Sequence, residues 1–367
     1  MKKLIQLIIL LISFAYSKGG IVSGFISDSS SGEALIGANV MIQETGQGMA
    51  TDINGYYIIQ NINPGSYTLM ASYVGFRVSR IQIIISDEES IKKDIEMVED
   101  LVQLTQVDVT AEKLQRRNNI QPSKINLSPR MMKAAPALAE PDLFRTIQAL
   151  PGVLTTSEYS TGLVIRGGNT DQNLIMLDGI TVYNPSHLGG VFSNFIVDGV
   201  KEAELIKGAY NAEYGGRLSA VLNVISREGN QKEFKGKANI SLLSAQTTLE
   251  GPFYKGAWIL SGRRTYFDLV LPKVLPDNIA TNIPPYFFYD VQGHIFSDIS
   301  SKDRFSLSYY TGIDDILFDT FGLDGRWGNN TISGHWRRVF SERLVGNFLV
   351  ANSNFRTMFG LGGDGGL

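Results

Sequence analysis

The chain has 367 residues, 33 basic and 36 acidic side chains, three histidines and no cysteine. A net charge of −3 gives no basic stripe for a nucleic-acid backbone. The missing cysteines exclude disulfide frameworks, thiolate zinc sites, iron–sulfur clusters and a cysteine nucleophile. His187, His294 and His335 are too dispersed for an HExxH-type metal site, so neither a catalytic constellation nor a metal set is expected, and no cofactor is called for.

The chain opens on Met1-Lys2-Lys3, continues with an apolar run over residues 4–12 and reaches the small residues of Ser13-Phe14-Ala15-Tyr16-Ser17. This order predicts a secretory signal peptide over residues 1–17. The run is about half the roughly 20 residues that a spanning helix needs. No later apolar run is longer, so membrane residence would have to come from strands.

Residues 18–99 read as short strands broken by turns. Strand-like segments lie at 21–26, 38–42, 56–59, 67–73 and 81–85, with turn signals at 28–32, at Asn54-Gly55 and at Pro64-Gly65. Strands spaced by about 8–12 residues predict a small antiparallel sandwich. Asp52 and Asn54 hint at a calcium loop, but the remaining ligands and the closing glutamate are missing, so a hairpin turn is the reading. Thr51-Asp52-x-x-Gly55-Tyr56-Tyr57, Pro64-Gly65-x-Tyr67-x-Leu69 and Gly75-Phe76 together resemble the carboxypeptidase regulatory-like domain, a transthyretin-like sandwich. That resemblance implies an accessory fold and no peptidase activity.

Residues 100–230 predict an α+β unit. Pro141 to Leu150 places Leu143, Ile147 and Leu150 at helical spacing, and Pro151-Gly152 stops the helix. Strands are expected at 163–166, 174–179 and 220–226, while residues 200–208 are compatible with either helix or strand. Five fragments follow in order: Ala149-Leu150-Pro151-Gly152-Val153, Ile165-Arg166-Gly167-Gly168, Ile175-Met176-Leu177-Asp178-Gly179, the 200–208 segment, and Glu213-Tyr214-Gly215-Gly216 with Leu222-Asn223-Val224-Ile225-Ser226. They resemble the plug of a TonB-dependent outer-membrane receptor. By the same resemblance Gln106-Val107-Asp108-Val109-Thr110-Ala111 is similar to a TonB box, the strand-forming segment that an inner-membrane coupling protein grips. The glycine pairs lack the spacing of a phosphate loop and read as turns.

Residues 231–367 alternate differently. Phe305, Leu307 and Tyr309 share one strand face and Ser306 and Ser308 the other, and aromatic residues cluster at Tyr266-Phe267, 286–289, Trp327, Trp336 and Phe340. Apolar-out, polar-in segments of about ten residues with aromatic girdles are the signature of a transmembrane β-barrel. Six or seven strands are expected, fewer than plugged transporters carry. With the loop-like glycine run from Gly360 onward, this predicts the N-terminal part of a longer receptor.

The predicted fold class is therefore mainly β: an N-terminal β-sandwich, an α+β plug domain, then the first strands of a transmembrane antiparallel β-barrel. The resemblance implies an outer-membrane transporter, not an enzyme, that takes up a scarce ligand such as an iron chelate, corrinoid or glycan. Its implied partners are a TonB-type coupling protein, outer-membrane lipid, the extracellular ligand and, in glycan importers, a surface lipoprotein; nucleic acid is not among them. Tyr183, Asn184, His187 and Phe192 on the loop after Gly179, with Tyr210 and Tyr214, are the candidate ligand residues. Arg166 and Arg217 are candidates for charge pairing between plug and barrel. A signal-transducing receptor, or a soluble periplasmic scaffold or adhesion protein, are the rival readings.

Overall fold

The computed structural model describes residues 19–87, 89–100, 124–135, 140–157, 160–274, 276, 285–300, 302–318, 323–341 and 344–361. The signal-peptide segment, the TonB-box segment and the charged stretch at 112–119 lie outside these residues. The chain divides into two compact units, Met1–Ile120 and Gln121–Leu367.

Among its described residues the first unit holds eight strands: β1 (Gly20–Asp28), β2 (Asn39–Ile42), β3 (Gly48–Ala50), β4 (Tyr56–Ile62), β5 (Gly65–Ser72), β6 (Ser79–Ile85), β7 (Ser90–Lys92) and β8 (Ile95–Met97). One sheet has the order β3-β2-β5-β6; the other places β1 between β4 and the short strands β7 and β8. Alternation puts Val22, Ile26, Val40, Ile42, Leu69 and Ile85 into the core between them, so each strand buries one face. The Asp52 carboxylate accepts the Asn54 and Tyr56 amides at 2.8 and 2.9 Å, which makes the Asn54-Gly55 corner a side-chain-closed turn, as its sequence predicts. The sandwich is not wholly antiparallel, however. β1 pairs in parallel with β7, Ile21 opposite Ser90, and with β8, Ile26 opposite Ile95. Two three-residue strands share one nine-residue partner, and segments that short carry little periodic signal.

The second unit begins with β9 (Lys124–Leu127), α1 (Pro129–Ala134), α2 (Leu143–Gln148), β10 (Val153–Thr155), β11 (Leu163–Ile165), β12 (Leu174–Leu177), β13 (Ile180–Thr181), β14 (Ser186–His187), β15 (Phe192–Ser193), β16 (Val200–Ile206) and β17 (Val221–Ser226). Its central sheet runs β13-β12-β17-β16-β9, with only the β12–β17 pair parallel. Asp178 and Gly179 both have positive φ, 51° and 80°, as a two-residue hairpin between β12 and β13 requires. The ambiguous 200–208 segment is strand: β16 sits between β17 and β9, both antiparallel to it.

The remaining strands form one antiparallel meander of seven, β18 (Lys235–Ile240), β19 (Ser244–Phe253), β20 (Gly256–Thr265), β21 (Tyr286–Asp298), β22 (Asp303–Phe318), β23 (Leu323–Ser341) and β24 (Leu344–Leu361), with α3 (Phe267–Val274) between β20 and β21. Gly360 and Leu361, expected in a loop, close β24 instead, opposite Asp324 and Leu323. Strand length climbs across the sheet, from 6 residues in β18 to 19 in β23.

Polarity alternates across this wall. On one face Phe305 stacks on Trp336 at 5.6 Å and Trp336 on Phe348 at 5.0 Å, with Leu307, Ile332 and Val350 exposed beside them. Farther along the same face Arg326 donates to Asp315 at 2.7 Å. The other face carries Ser261, Arg263, Asp290, Gln292, Ser308, Asp314, Thr331 and Ser333, all buried. Against that polar face packs the α+β unit, whose core takes in Tyr310 of the wall beside Leu143, Ile147, Phe195, Ala203 and Leu222. Among the described residues no helix is long and apolar enough to cross a membrane.

Candidate functional site: a buried charge network

Five charged side chains converge where the α+β unit meets the wall. Glu140, just ahead of α2, and His187, at the end of β14, come from the α+β unit. Arg263 of β20, Asp290 of β21 and Asp314 of β22 come from the wall. The Arg263 guanidinium donates through Nη1 to Glu140 at 2.7 Å, through Nε to Asp290 at 2.8 Å and through Nη2 to the Ser193 carbonyl at 2.7 Å. Glu140 also accepts the Ser244 hydroxyl at 2.5 Å and the Gln246 amide at 2.7 Å. His187 Nε2 lies 2.8 Å from Asp290, and its Nδ1 lies 2.8 Å from Asp314. The Asp290 and Asp314 carboxylates then accept Tyr310 Oη at 2.9 Å and Tyr286 Oη at 2.5 Å.

Burial is complete: the side chains of Arg263, Glu140, His187 and Asp290 expose 1% or less. Charges this far from water persist only when paired and fully hydrogen-bonded, and here each carboxylate oxygen has a donor. Burial opposes the charge on His187, but Asp290 and Asp314 outweigh it and raise the ring above its ordinary pKa. Phe288 stacks on the imidazole at 4.1 Å and lies 5.1 Å from the guanidinium carbon, a ring face that suits cations. Gly312 stands opposite Asp290. A Cβ there would come within 2.1 Å of the Tyr310 hydroxyl and 2.5 Å of the Asp290 carboxylate, so the network needs the missing side chain.

Local sequence fixes the two ends from the α+β unit. Asp142 caps α2 by accepting the Arg145 amide at 3.0 Å, and its other oxygen takes the Ser193 amide at 2.7 Å, tying the Glu140 segment to β15. Asp142→Ala is expected to cost about 1–2 kcal/mol, read as a lower denaturation midpoint, with Asp142→Asn losing less. Further pins surround the network. Asp198 bridges Lys133 at 2.5 Å and Lys237 of the wall at 2.7 Å, and these lysines outweigh burial to hold its pKa low. Arg227 pairs with Glu250 at 2.7 Å and Arg304 with Glu228 at 3.3 Å. The Ser353 hydroxyl donates to the Thr181 carbonyl at 2.6 Å.

The candidate ligand residues separate. Tyr183 and Asn184 are exposed, Asn184 at a φ of 43°. His187 is wholly buried and meets nothing outside without first leaving two aspartates. Phe192 packs inside with Leu243, Tyr286 and Phe288. Tyr210 and Tyr214 lie half-buried on Leu174, Met176, Ile206 and Val221, and the Tyr210 hydroxyl donates to the Arg217 carbonyl at 2.6 Å. Arg217 donates locally, to the Gly216 carbonyl at 3.0 Å. Arg166 sits in a turn at φ 50°, its Nη1 3.0 Å from where a Cβ of Gly208 would stand. The ion pairs described above cross to the wall from Glu140, His187, Asp198, Arg227 and Glu228. Glu140, Arg263, Asp290 and Asp314 were not legible as a site. For Arg263, Asp290 and Asp314 the signal was present only as charges at inward-facing strand positions, and for Glu140 as a lone acid ahead of α2.

Two family models match the chain: the CarboxypepD_reg-like domain over residues 22–109 and the TonB-dependent Receptor Plug Domain over residues 127–221. The chain is 28% identical over 233 residues to TonB-dependent receptor P26 of Formosa agariphila, a match covering 59% of this chain and 22% of the relative. It is 23% identical over 237 residues to the TonB-dependent transporter Oar of Myxococcus xanthus, covering 61% and 22%. The chain therefore matches about a fifth of the length of these curated relatives. Its fold is similar to a double mutant of the Serratia marcescens hemophore receptor HasR, solved with its hemophore HasA and heme, at a TM-score of 0.50 and 12% identity over 67% of this chain and 40% of that one. A CarboxypepD_reg-like domain, a TonB-dependent receptor plug domain and a wall of antiparallel strands thus follow one another in this chain, in an order that makes it similar to the TonB-dependent receptors.

Proposed function

We propose that this chain is part of an outer-membrane transporter, exported by the signal peptide over residues 1–17, in which the plug obstructs a β-barrel and is displaced to admit a scarce ligand. One observation carries the reading: the plug is fastened by buried ion pairs to the polar face of a strand wall whose opposite face is apolar and aromatic. A sheet polar within and apolar without is what a bilayer selects. Closure of such a wall would pair the backbone groups at the edges of β18 and β24, which hydrocarbon penalises when open.

The outer side would recognise ligand through exposed apex residues such as Tyr183 and Asn184, whose ring and amide suit iron chelates, corrinoids and glycans alike. Work would enter through residues 106–111, gripped by added-strand pairing with a TonB-type coupling protein. Backbone pairing suits a handle because it accepts many side chains.

In the full-length receptor, deletion of residues 106–111 is expected to abolish energised uptake while ligand binding to whole cells persists. Uptake that continues unchanged would place the handle elsewhere in the chain.

A further inference from the structure

The donors and acceptors around His187 leave little choice of protonation. Asp290 Oδ2 is filled by two nitrogens of Arg263, Nε at 2.8 Å and Nη2 at 2.5 Å. Its Oδ1 takes the Tyr310 hydroxyl at 2.9 Å and faces His187 Nε2 at 2.8 Å. Asp314 Oδ1 takes the Leu188 amide at 3.0 Å and the Tyr286 hydroxyl at 2.5 Å, and its Oδ2 faces His187 Nδ1 at 2.8 Å. As carboxylates both aspartates only accept, and both ring nitrogens then have to donate. A neutral imidazole has one N–H and one lone pair, so one aspartate would meet a lone pair at hydrogen-bonding distance.

We propose that His187 is a fixed imidazolium and that it makes the plug's grip on the wall charge-gated: the 183–190 loop is held only while both ring nitrogens carry protons. This deepens the transporter reading by naming what regulates the fastening, but its test does not pass through uptake. The groups facing the ring are Asp290 and Tyr286 of β21, Asp314 and Tyr310 of β22, Arg263 of β20 behind Asp290, and Glu140 of the plug behind Arg263. With the ring charged, two cations face three carboxylates; with it neutral, one cation faces all three.

The sign follows from linkage. A histidine whose pKa is raised in the folded state contributes fully below its unfolded value, about 6.5. That contribution is lost as pH climbs through the raised value. The loop is therefore held most firmly below about 6.5 and loosens as pH climbs from there through the raised value, opening about tenfold more per pH unit where one proton is released on opening.

The test uses the full receptor labelled with 15N-histidine in detergent micelles. His187 is assigned as the resonance missing from the His187→Gln variant. An imidazolium pattern at pH 7, titrating above 6.5, is expected; a single-tautomer neutral ring at pH 7 would overturn the proposal. Hydrogen exchange at the Leu188 amide, corrected for intrinsic rate, gives the second readout. The wild type should open more as pH rises above about 6.5, and His187→Gln/Asp314→Asn, in which two amides replace the charged pair, should not. An equal pH response in both proteins would also overturn it. If the variants with glutamine do not fold, Asp314→Asn alone keeps the ring and Asp290, and it should move the ring's midpoint to lower pH. A neutral ring at pH 7, or a pH-independent Leu188 amide, would refute the gate and leave the transporter reading standing, because that reading rests on the two-faced wall and not on the charge of His187.

Discussion

Arg263→Met is expected to destabilise the fastened plug by about 3–5 kcal/mol, the range for removing one member of a buried ion pair. The guanidinium serves Glu140, Asp290 and the Ser193 carbonyl together, so its loss strands acceptors in a place water does not reach. Methionine fills similar volume, which separates charge from packing. The measurement is a denaturant midpoint, with exchange protection over residues 140–142 and 186–194 showing where the loss falls. Glu140→Gln/Arg263→Met should recover part of the difference, because an unpaired buried carboxylate costs more than a neutral amide. Unaltered midpoint and protection in the single variant would mean that this network fastens nothing.

Gly229→Val is the second large effect expected, about 3 kcal/mol or more. Gly229 lies between the last plug strand and β18, at a φ of 88°, and a Cβ there would stand 2.4 Å from the Trp258 carbonyl oxygen. Its neighbours Arg227 and Glu228 hold the wall through Glu250 and Arg304, so the chain cannot step aside without breaking those pairs. The folded fraction on a heat-modifiability gel checks this. Gly215→Ala is the control, since a Cβ there meets nothing within 4 Å.

Local chemistry made much of the fold legible. The spacing of Leu143, Ile147 and Leu150 marked α2, and the alternation from Phe305 to Tyr309 gave β22 its inward and outward faces, whereas the strand expected over 174–179 turns at Asp178-Gly179 into a hairpin. The strand β16 did not declare itself, because Val200, Ala203, Leu205 and Ile206 fit a helix as well as a strand; its neighbours β17 and β9 decide. There Glu202 is buried beside Glu204, and burial first, then that like charge, lifts its pKa to about 7. The network was illegible for a different reason. Arg263 and Glu140 are 123 residues apart, and His187 and Asp314 are 127 apart, so no local pattern links them. A histidine flanked by tyrosine and asparagine reads as a loop ligand until the wall's aspartates are placed on either side of it.

The climb in strand length sets how the wall would stand in a bilayer. The 19 residues of β23, at about 3.3 Å each and tilted about 40°, rise roughly 48 Å, against an apolar band of about 25 Å. The outward face agrees: aromatic and aliphatic from Phe305 to Tyr309 and at Phe348 and Val350, then charged at Asp315 and Arg326. An ion pair there belongs in water, so the ends of β22, β23 and β24 at and beyond the Asp315–Arg326–Met358 register would stand above the lipid as a parapet. The ten-residue strands β19 and β20 would end near the membrane surface, so among the described strands the wall would stand tallest at β23 and lowest toward β18.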